Sequence, residues 1–149
     1  FLKIQNKIDF NKTKLIIKPH PTWSEYKISS YFKKNQLSNF YFTKGDFHDH
    51  IEKVNLVVSN ASSISLESLA KHVPVIIVAP SSGIIQNPIP KKVSNKIWKL
   101  ARNTDELLSS IFYFKKHRIN DYKKEYNLVK TNYFEPVSAS RIRNFLNLK

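Results

Sequence analysis

Short apolar runs rich in β-branched and aromatic residues alternate with amphipathic stretches along this chain, and this alternation constrains its fold more than any other feature. Because strands that alternate with helices through short connections form βαβ units, we predict a mostly parallel sheet of five or six strands, covered by helices on both faces. The pattern predicts strands at residues 14–18, 39–43, 55–59, 74–79 and 96–101. The intervening segments, and one at the C-terminal end, have helical spacing.

Two helix starts carry a capping-box pattern, in which a side chain at the N-cap and a glutamate three residues later satisfy free backbone amides. Thr22 with Glu25 predicts a helix over residues 23–34, and Asn103 with Glu106 predicts another. The length of 149 residues is that of one domain. The opening FLKIQNKIDF resembles neither a signal peptide nor a domain start. We therefore expect residues 1–149 to be the C-terminal part of a longer, two-domain protein.

The composition excludes several kinds of protein. Cysteine is absent, so disulfides and thiolate metal sites are excluded and a cytoplasmic protein is expected. No run of eighteen apolar residues exists that could span a membrane. The net charge of +14 would suit a nucleic-acid-binding module. The lysines are dispersed, however, and arginine, the usual phosphate-reading residue, is scarce, so a solvated basic surface is favoured.

Polar residues crowd the turn that follows the predicted strand 55–59. In parallel sheets ligands bind at the carboxyl ends of strands, and the first amides of a helix attract anions. Ser59, Asn60, Ser62 and Ser63 offer more donors than a helix cap needs. Glu67 lies one turn beyond Ser63 and is not required by a capping box there, so its carboxylate is a candidate acceptor of ribose hydroxyls.

The loop after strand 14–18 reads Lys18, Pro19, His20, Pro21. A proline on each side of His20 restricts the backbone and holds the imidazole in one direction. An imidazole so placed can hydrogen-bond a phosphate or donate a proton to a leaving one. His20 is therefore the candidate catalytic residue, with Lys18 and the two prolines in support.

Other candidate sites are less favoured. His48 and His50, beside Asp46 and Asp49, suggest a metal site, but residues two apart on a helix do not face each other. We expect no metal and no cofactor. With two glycines in the chain, neither a Walker loop nor a complete dinucleotide-binding G-x-G-x-x-G motif is formed.

The segment SNASSISLESLAKHVPVIIVAP, residues 59–80, resembles the donor-binding signature of GT-B glycosyltransferases and of the related nucleotide-sugar 2-epimerases. The resemblance implies a Rossmann-like fold, one half of a GT-B enzyme, with Ser62 and Ser63 at the donor phosphate and Glu67 at the ribose. His72 departs from the pattern, which usually has glycine at this helix end.

The KPHP segment followed by a serine pair is similar to the HP and SS motifs of bacterial sialyltransferases and polysialyltransferases. Kdo transferases of capsule synthesis and glycerophosphotransferases show related motifs. The resemblance implies that His20 contacts the phosphate of a cytidine nucleotide, that no metal takes part, and that the catalytic base lies in an N-terminal domain. Without that domain the chain is expected to bind the nucleotide but not to catalyse the transfer.

The sequence as a whole predicts the donor-binding half of a transferase for bacterial surface or capsular polysaccharide biosynthesis, using a CMP-sugar. Expected partners are the nucleotide-sugar, a saccharide or glycolipid acceptor, the N-terminal domain and an anionic membrane surface at the inner face of the cytoplasmic membrane, but not nucleic acid. Alternatives are a 2-epimerase, a glycerophosphotransferase-like domain and, outside enzymes, a basic nucleic-acid-binding module.

Overall fold

The structure, a computed structural model, describes residues 2–9, 12–20, 22–34, 40–43, 45–80, 82, 85–117, 119–136 and 138–146. Pro21 and Asn39, which belong to predicted features, lie outside these residues. The strands are β1 (Leu15–Ile17), β2 (Phe40–Phe42), β3 (Val57–Ser59), β4 (Val75–Val78) and β5 (Trp98–Ala101). The helices are α1 (Glu25–Lys34), α2 (His48–Ile51), α3 (Ile64–Ala70), α4 (Thr104–Lys116), α5 (Lys123–Tyr133) and α6 (Ala139–Phe145), with 3-10 helices at Leu2–Lys7 and Ile119–Tyr122.

All strand pairings in the described residues are parallel, as predicted, but the predicted single sheet of five or six strands is wrong. β1 pairs with β2, while β3, β4 and β5 form a separate three-stranded sheet with β4 at its centre. A central strand of a parallel sheet is buried on both faces. β4 meets this condition at residues 75–77, whereas β1 is only half-buried along its length and Tyr41 of β2 is exposed. The partial exposure of β1 and β2 therefore fits a small outlying pair better than the middle of a large sheet.

The three-stranded sheet is covered on both faces. On one face, Val75 and Ile77 pack against α3 and α5 and against residues 85–97. On the other face, Ile76 packs against α4 and the first 3-10 helix, whose Ile4 is 1% exposed. Successive residues of a strand point to opposite faces, so the continuous apolar run of β4 supplies both cores at once. The chain passes from the carboxyl end of β3 through residues 60–63 into α3, whose Leu69 packs in the first of these cores.

The two predicted capping boxes have different outcomes. At α4 the Oδ1 atom of Asn103 accepts from the Glu106 amide at 2.9 Å, and the Glu106 carboxylate accepts from the Arg102 amide, so this start is confirmed. At α1 the helix begins at Glu25, and the Lys27 amide approaches the Ser24 hydroxyl at 3.5 Å. Thr22 is not the cap because its side chain bonds His20 instead. Within the described segments, no helix is both long and apolar enough to cross a membrane.

His72 occupies the left-handed position at the end of α3, where its φ is 62°. Its amide donates to the Leu69 carbonyl at 3.0 Å, and the Val73 amide donates to the Ser68 carbonyl at 2.9 Å. These two bonds form a Schellman motif, which usually places glycine at this residue. The His72 ring stacks on the buried Tyr126 ring, with centroids 5.4 Å apart and planes at 28°. The stacking contact offsets part of the cost of a side chain in this conformation.

Replacing His72 with valine is expected to lower the free energy of unfolding by about 2 kcal/mol, because a β-branched residue is strained at positive φ and the stack on Tyr126 is lost. Replacing it with glycine loses the stack but relieves the backbone, so the change is expected to stay within about 1 kcal/mol. Urea denaturation of both variants measures the difference. Equal free energies of unfolding in the two variants would show that the positive φ at residue 72 does not destabilise the valine variant.

Candidate functional site

Serines at the end of β3 and within α3 form hydrogen bonds inside the fold, unlike those in the turn between the two elements. The Ser59 and Ser65 hydroxyl oxygens lie 3.0 Å apart, and Ser65 is fully buried. The Ser68 hydroxyl donates to the Ile64 carbonyl at 2.7 Å. Ser59, which was predicted to bind a ligand, is thus engaged with α3 and fixes the helix to the end of its strand.

Ser62 and Ser63 differ from these serines. Ser63 is the N-cap of α3 by position, but its backbone is already helical and its side chain forms no capping bond. Within the described residues the hydroxyls of Ser62 and Ser63 have no hydrogen-bond partner, while the two carbonyls accept from the Ser65 and Leu66 amides. Asn60 and Ser63 are exposed, and Ser62 is half-buried. The two hydroxyls therefore lie at the carboxyl end of β3 with their donors unused by the fold.

Glu67 lies on α3 one turn after Ser63, as predicted, but its carboxylate has a protein partner. The Nε2 atom of His48 lies 3.2 Å from Oε2 of Glu67, and the two side chains are 64% and 27% exposed. His48 was considered from sequence only as a metal ligand, and its contact with Glu67 was missed. Nothing in the spacing of residues 48 and 67 predicts the contact, because it depends on how α2 packs beside α3.

The position of α2 is fixed by several contacts. The Oγ1 atom of Thr43, directly after β2, lies 2.6 Å from Nε2 of His50. The Asp49 carboxylate accepts from the Asp46 amide at 3.1 Å, and Ile51 is 1% exposed. Gly45 has a φ of 89°, and a Cβ there would lie 3.1 Å from the Asp49 carboxylate. The turn that carries His48 toward Glu67 therefore requires glycine.

His20 follows β1 in an exposed loop with Lys18, which is also exposed, and with half-buried Pro19. The Nδ1 atom of His20 lies 2.8 Å from the Thr22 hydroxyl and accepts from the Thr22 amide at 3.3 Å. An amide can only donate, so Nδ1 is the acceptor and the neutral ring carries its proton on Nε2. The contact with Thr22 was not predicted, and the predicted clamp by two prolines stays a prediction, because Pro21 lies outside the described residues.

The structure brings the predicted residues together in two groups. The first group lies on one strand–helix unit, from the last residue of β3 to the first turn of α3: Ser59, Asn60, Ser62, Ser63 and Glu67. His20 follows a strand of the other sheet, and its hydrogen bonds in the described residues stay within its own loop. Both loops nonetheless follow the carboxyl ends of parallel strands, where ligands bind in such folds.

No group of three or more metal-ligating side chains is found in the described part of the chain. The resolved pKa shifts lie away from the two loops, around α4, α5 and β5. Burial and a hydrogen bond to Tyr122 raise the pKa of Tyr113 to about 12, and burial raises the pKa of Tyr126. Burial lowers the pKa of Lys99, whose Nζ lies 4.2 Å from the Tyr113 ring centroid. These groups form a packing cluster beside the sheet.

Comparison of the chain with known protein families, with curated proteins and with solved structures finds no match.

Proposed function

We propose that this chain is the nucleotide-sugar-binding half of a GT-B-type glycosyltransferase for bacterial surface or capsular polysaccharide, with a Rossmann-like fold and a pyrimidine nucleotide, CMP by preference, in its donor. In the bacterial cell it would work with an N-terminal domain at the cytoplasmic face of the inner membrane. The proposal rests on the motif resemblance of residues 59–80 and of the KPHP segment.

One structural observation supports the proposal more than the others. The hydroxyls of Ser62 and Ser63 stand at a strand–helix turn without a partner among the described residues, and the helix starts without a side-chain cap. Ser65 and Ser68, in contrast, use their hydroxyls within the fold. Hydroxyl groups without a protein partner at such a turn can donate hydrogen bonds to the oxygens of a phosphate, whose negative charge strengthens each bond.

The proposed chemistry is displacement at the anomeric carbon of the donor sugar, with the nucleotide phosphate as leaving group. Ser62 and Ser63 would hold the phosphate oxygens, and the Nε2–H group of His20 would donate to the oxygen on which negative charge develops. Donors that are held in place before reaction stabilise such charge without reorganising. The contact of Nδ1 with Thr22 supplies this preorganisation for His20.

A thermal-shift panel of CMP, CDP, UMP, UDP and GDP tests the proposal, because a ligand that binds only the folded state raises its stability. We expect CMP or CDP to raise the melting temperature more than GDP does, and Glu67→Ala should reduce this rise. No shift with any nucleotide at millimolar concentration would contradict the proposal. A response that follows only the number of phosphates and falls steeply with salt would point to nonspecific polyanion binding.

The His48–Glu67 contact gives a further prediction about the same site. A ribose can use Oε2 of Glu67 only after His48 moves away, so His48→Ala is expected to tighten CMP binding. A largely exposed contact of this kind contributes at most about 1 kcal/mol, which corresponds to an increase of up to about fivefold in affinity. Calorimetric titration of CMP into both proteins measures the change.

Glu52→Ala is the matched control, because Glu52 and Lys71, directly after α2 and α3, form a salt bridge at 3.7 Å that does not include Glu67. CMP affinity should be unchanged in this variant. Weaker binding by His48→Ala would mean that His48 itself contacts the nucleotide. An equal gain in both variants would mean that the packing of α2, not release of Glu67, controls affinity.

A further inference from the structure

The contacts between α2 and α3 lie in two matching rows. His48 and Glu52 stand four residues apart at α2, so their side chains lie on the same side of the helix. Glu67 and Lys71 have the same spacing at α3. Nε2 of His48 lies 3.2 Å from Oε2 of Glu67. Oε1 of Glu52 lies 3.7 Å from Nζ of Lys71, so the second contact has the opposite polarity to the first.

The two contacts differ in how they respond to pH. Carboxylate and ammonium groups of ordinary pKa keep their charges between about pH 5 and pH 8, whereas an imidazole of ordinary pKa changes its charge there. His48 therefore forms an ion pair with Glu67 only when its ring is protonated. A carboxylate can only accept, so Nε2 of His48 is the donor in either state. Acidification thus strengthens this contact and leaves the contact between Glu52 and Lys71 in place.

Several charged or titratable side chains of α2 and its flanking turns surround His48: Asp46, Asp49, His50, Glu52 and Lys53. The Asp49 carboxylate accepts from the Asp46 amide at 3.1 Å. The His50 ring is occupied on another side, where its Nε2 atom lies 2.6 Å from the Thr43 hydroxyl. Among the described residues, the carboxylate in contact with His48 is therefore that of Glu67 on α3.

The imidazole of His48 and a bound ribose would compete for the same carboxylate. Glu67 is only 27% exposed on its side chain, and His48 covers Oε2. From this geometry we propose that the protonation state of His48 controls nucleotide binding, the protonated ring holding the Glu67 carboxylate and the neutral ring yielding it to the ribose. The role of Glu67 at the ribose, on which this inference rests, belongs to the proposed function.

The direction of the pH dependence follows from thermodynamic linkage. A nucleotide that separates Glu67 from His48 removes the interaction that favours the protonated ring, so binding releases protons. Affinity for the nucleotide therefore rises as pH rises through the range in which imidazoles titrate. Because the His48 side chain is 64% exposed, water weakens the contact, and the rise is expected to be at most about fivefold.

Calorimetric titration of CMP into the parent protein and into His48→Asn, at about pH 5.5 and about pH 7.5, tests this inference. The CMP phosphate and the other histidines also titrate in this range, but they are common to both proteins. The ratio of the affinities at the two pH values is expected to be about two- to fivefold larger in the parent. Titrations in buffers of different ionisation enthalpy count the protons released, and the parent should release more than the variant.

Glu52→Gln is the matched control, because it removes the other contact between the two helices and should keep the pH dependence of the parent. Equal pH dependence in the parent and His48→Asn would overturn the inference alone, since CMP would still bind. A relative gain of affinity in the parent at acidic pH would also overturn it, because the protonated ring would then attract the phosphate. Absence of CMP binding at both pH values would contradict the donor proposal itself, and this inference with it.

Discussion

The Leu69→Ala variant is expected to lose about 2–5 kcal/mol of unfolding free energy, the range for a large-to-small change in a packed core. Leu69 is 0% exposed and belongs to the core that α3 and α5 form against β4. The alanine would leave a cavity between these elements as well as removing buried apolar surface. Since single domains are stable by only about 5–15 kcal/mol, the loss should be evident in chemical denaturation.

Leu128→Ala is the control for this result, because Leu128 lies on α5 and is 52% exposed. Its effect should stay within about 0.5 kcal/mol, as for most surface substitutions. If Leu69→Ala were as mild as the control, then α3 and α5 would not pack on the sheet as described. The placement of the Ser62–Ser63 turn at the end of β3 would then lose its support.

The double variant Ser62→Ala, Ser63→Ala is expected to weaken CMP binding about 10- to 100-fold. Each hydroxyl that bonds a charged phosphate contributes about 1.5–3 kcal/mol, and partial compensation by water or by the neighbouring amides reduces the combined loss. Stability should change little, because neither hydroxyl caps α3 or bonds elsewhere in the described residues. Calorimetric titration gives the affinity, and urea denaturation gives the stability.

Ser109→Ala provides the comparison, since Ser109 is an exposed serine on α4, away from the turn. It should bind CMP like the parent protein. Unchanged affinity in the double variant would mean that the two hydroxyls do not contact the nucleotide. A large loss of stability in the double variant would mean that they serve the helix after all.

Local features of the chain were predictable from sequence because short-range physics decides them. The start of α4 follows from the Asn103–Glu106 box, and the buried β4 follows from an unbroken apolar run. The departure of His72 from a glycine pattern also located the left-handed residue at the end of α3. In each case the residues that determine the structure are close together in the chain.

Features that depend on packing between distant segments were not predictable. α5 was missed, although it places Tyr126 and Val129 in the core, because lysines and asparagine dilute its apolar face. The separation of the two sheets depends on which strands become fully buried. Strand propensity cannot predict this, because it does not depend on the packing of distant segments. At the site, the contact between His48 and Glu67 arises from the docking of α2 on α3. The serine turn could be predicted, whereas the partner of its glutamate could not.

The most direct test of the central proposal is a nuclear magnetic resonance titration of the chain with CMP. If both loops hold one nucleotide, amide shifts should appear at Ser62, Ser63 and Glu67, and together with them at the His20 ring. They should saturate with a single dissociation constant. Shifts spread over the lysine-rich surface, or none at the serine turn, would contradict the assignment of this domain to nucleotide-sugar binding.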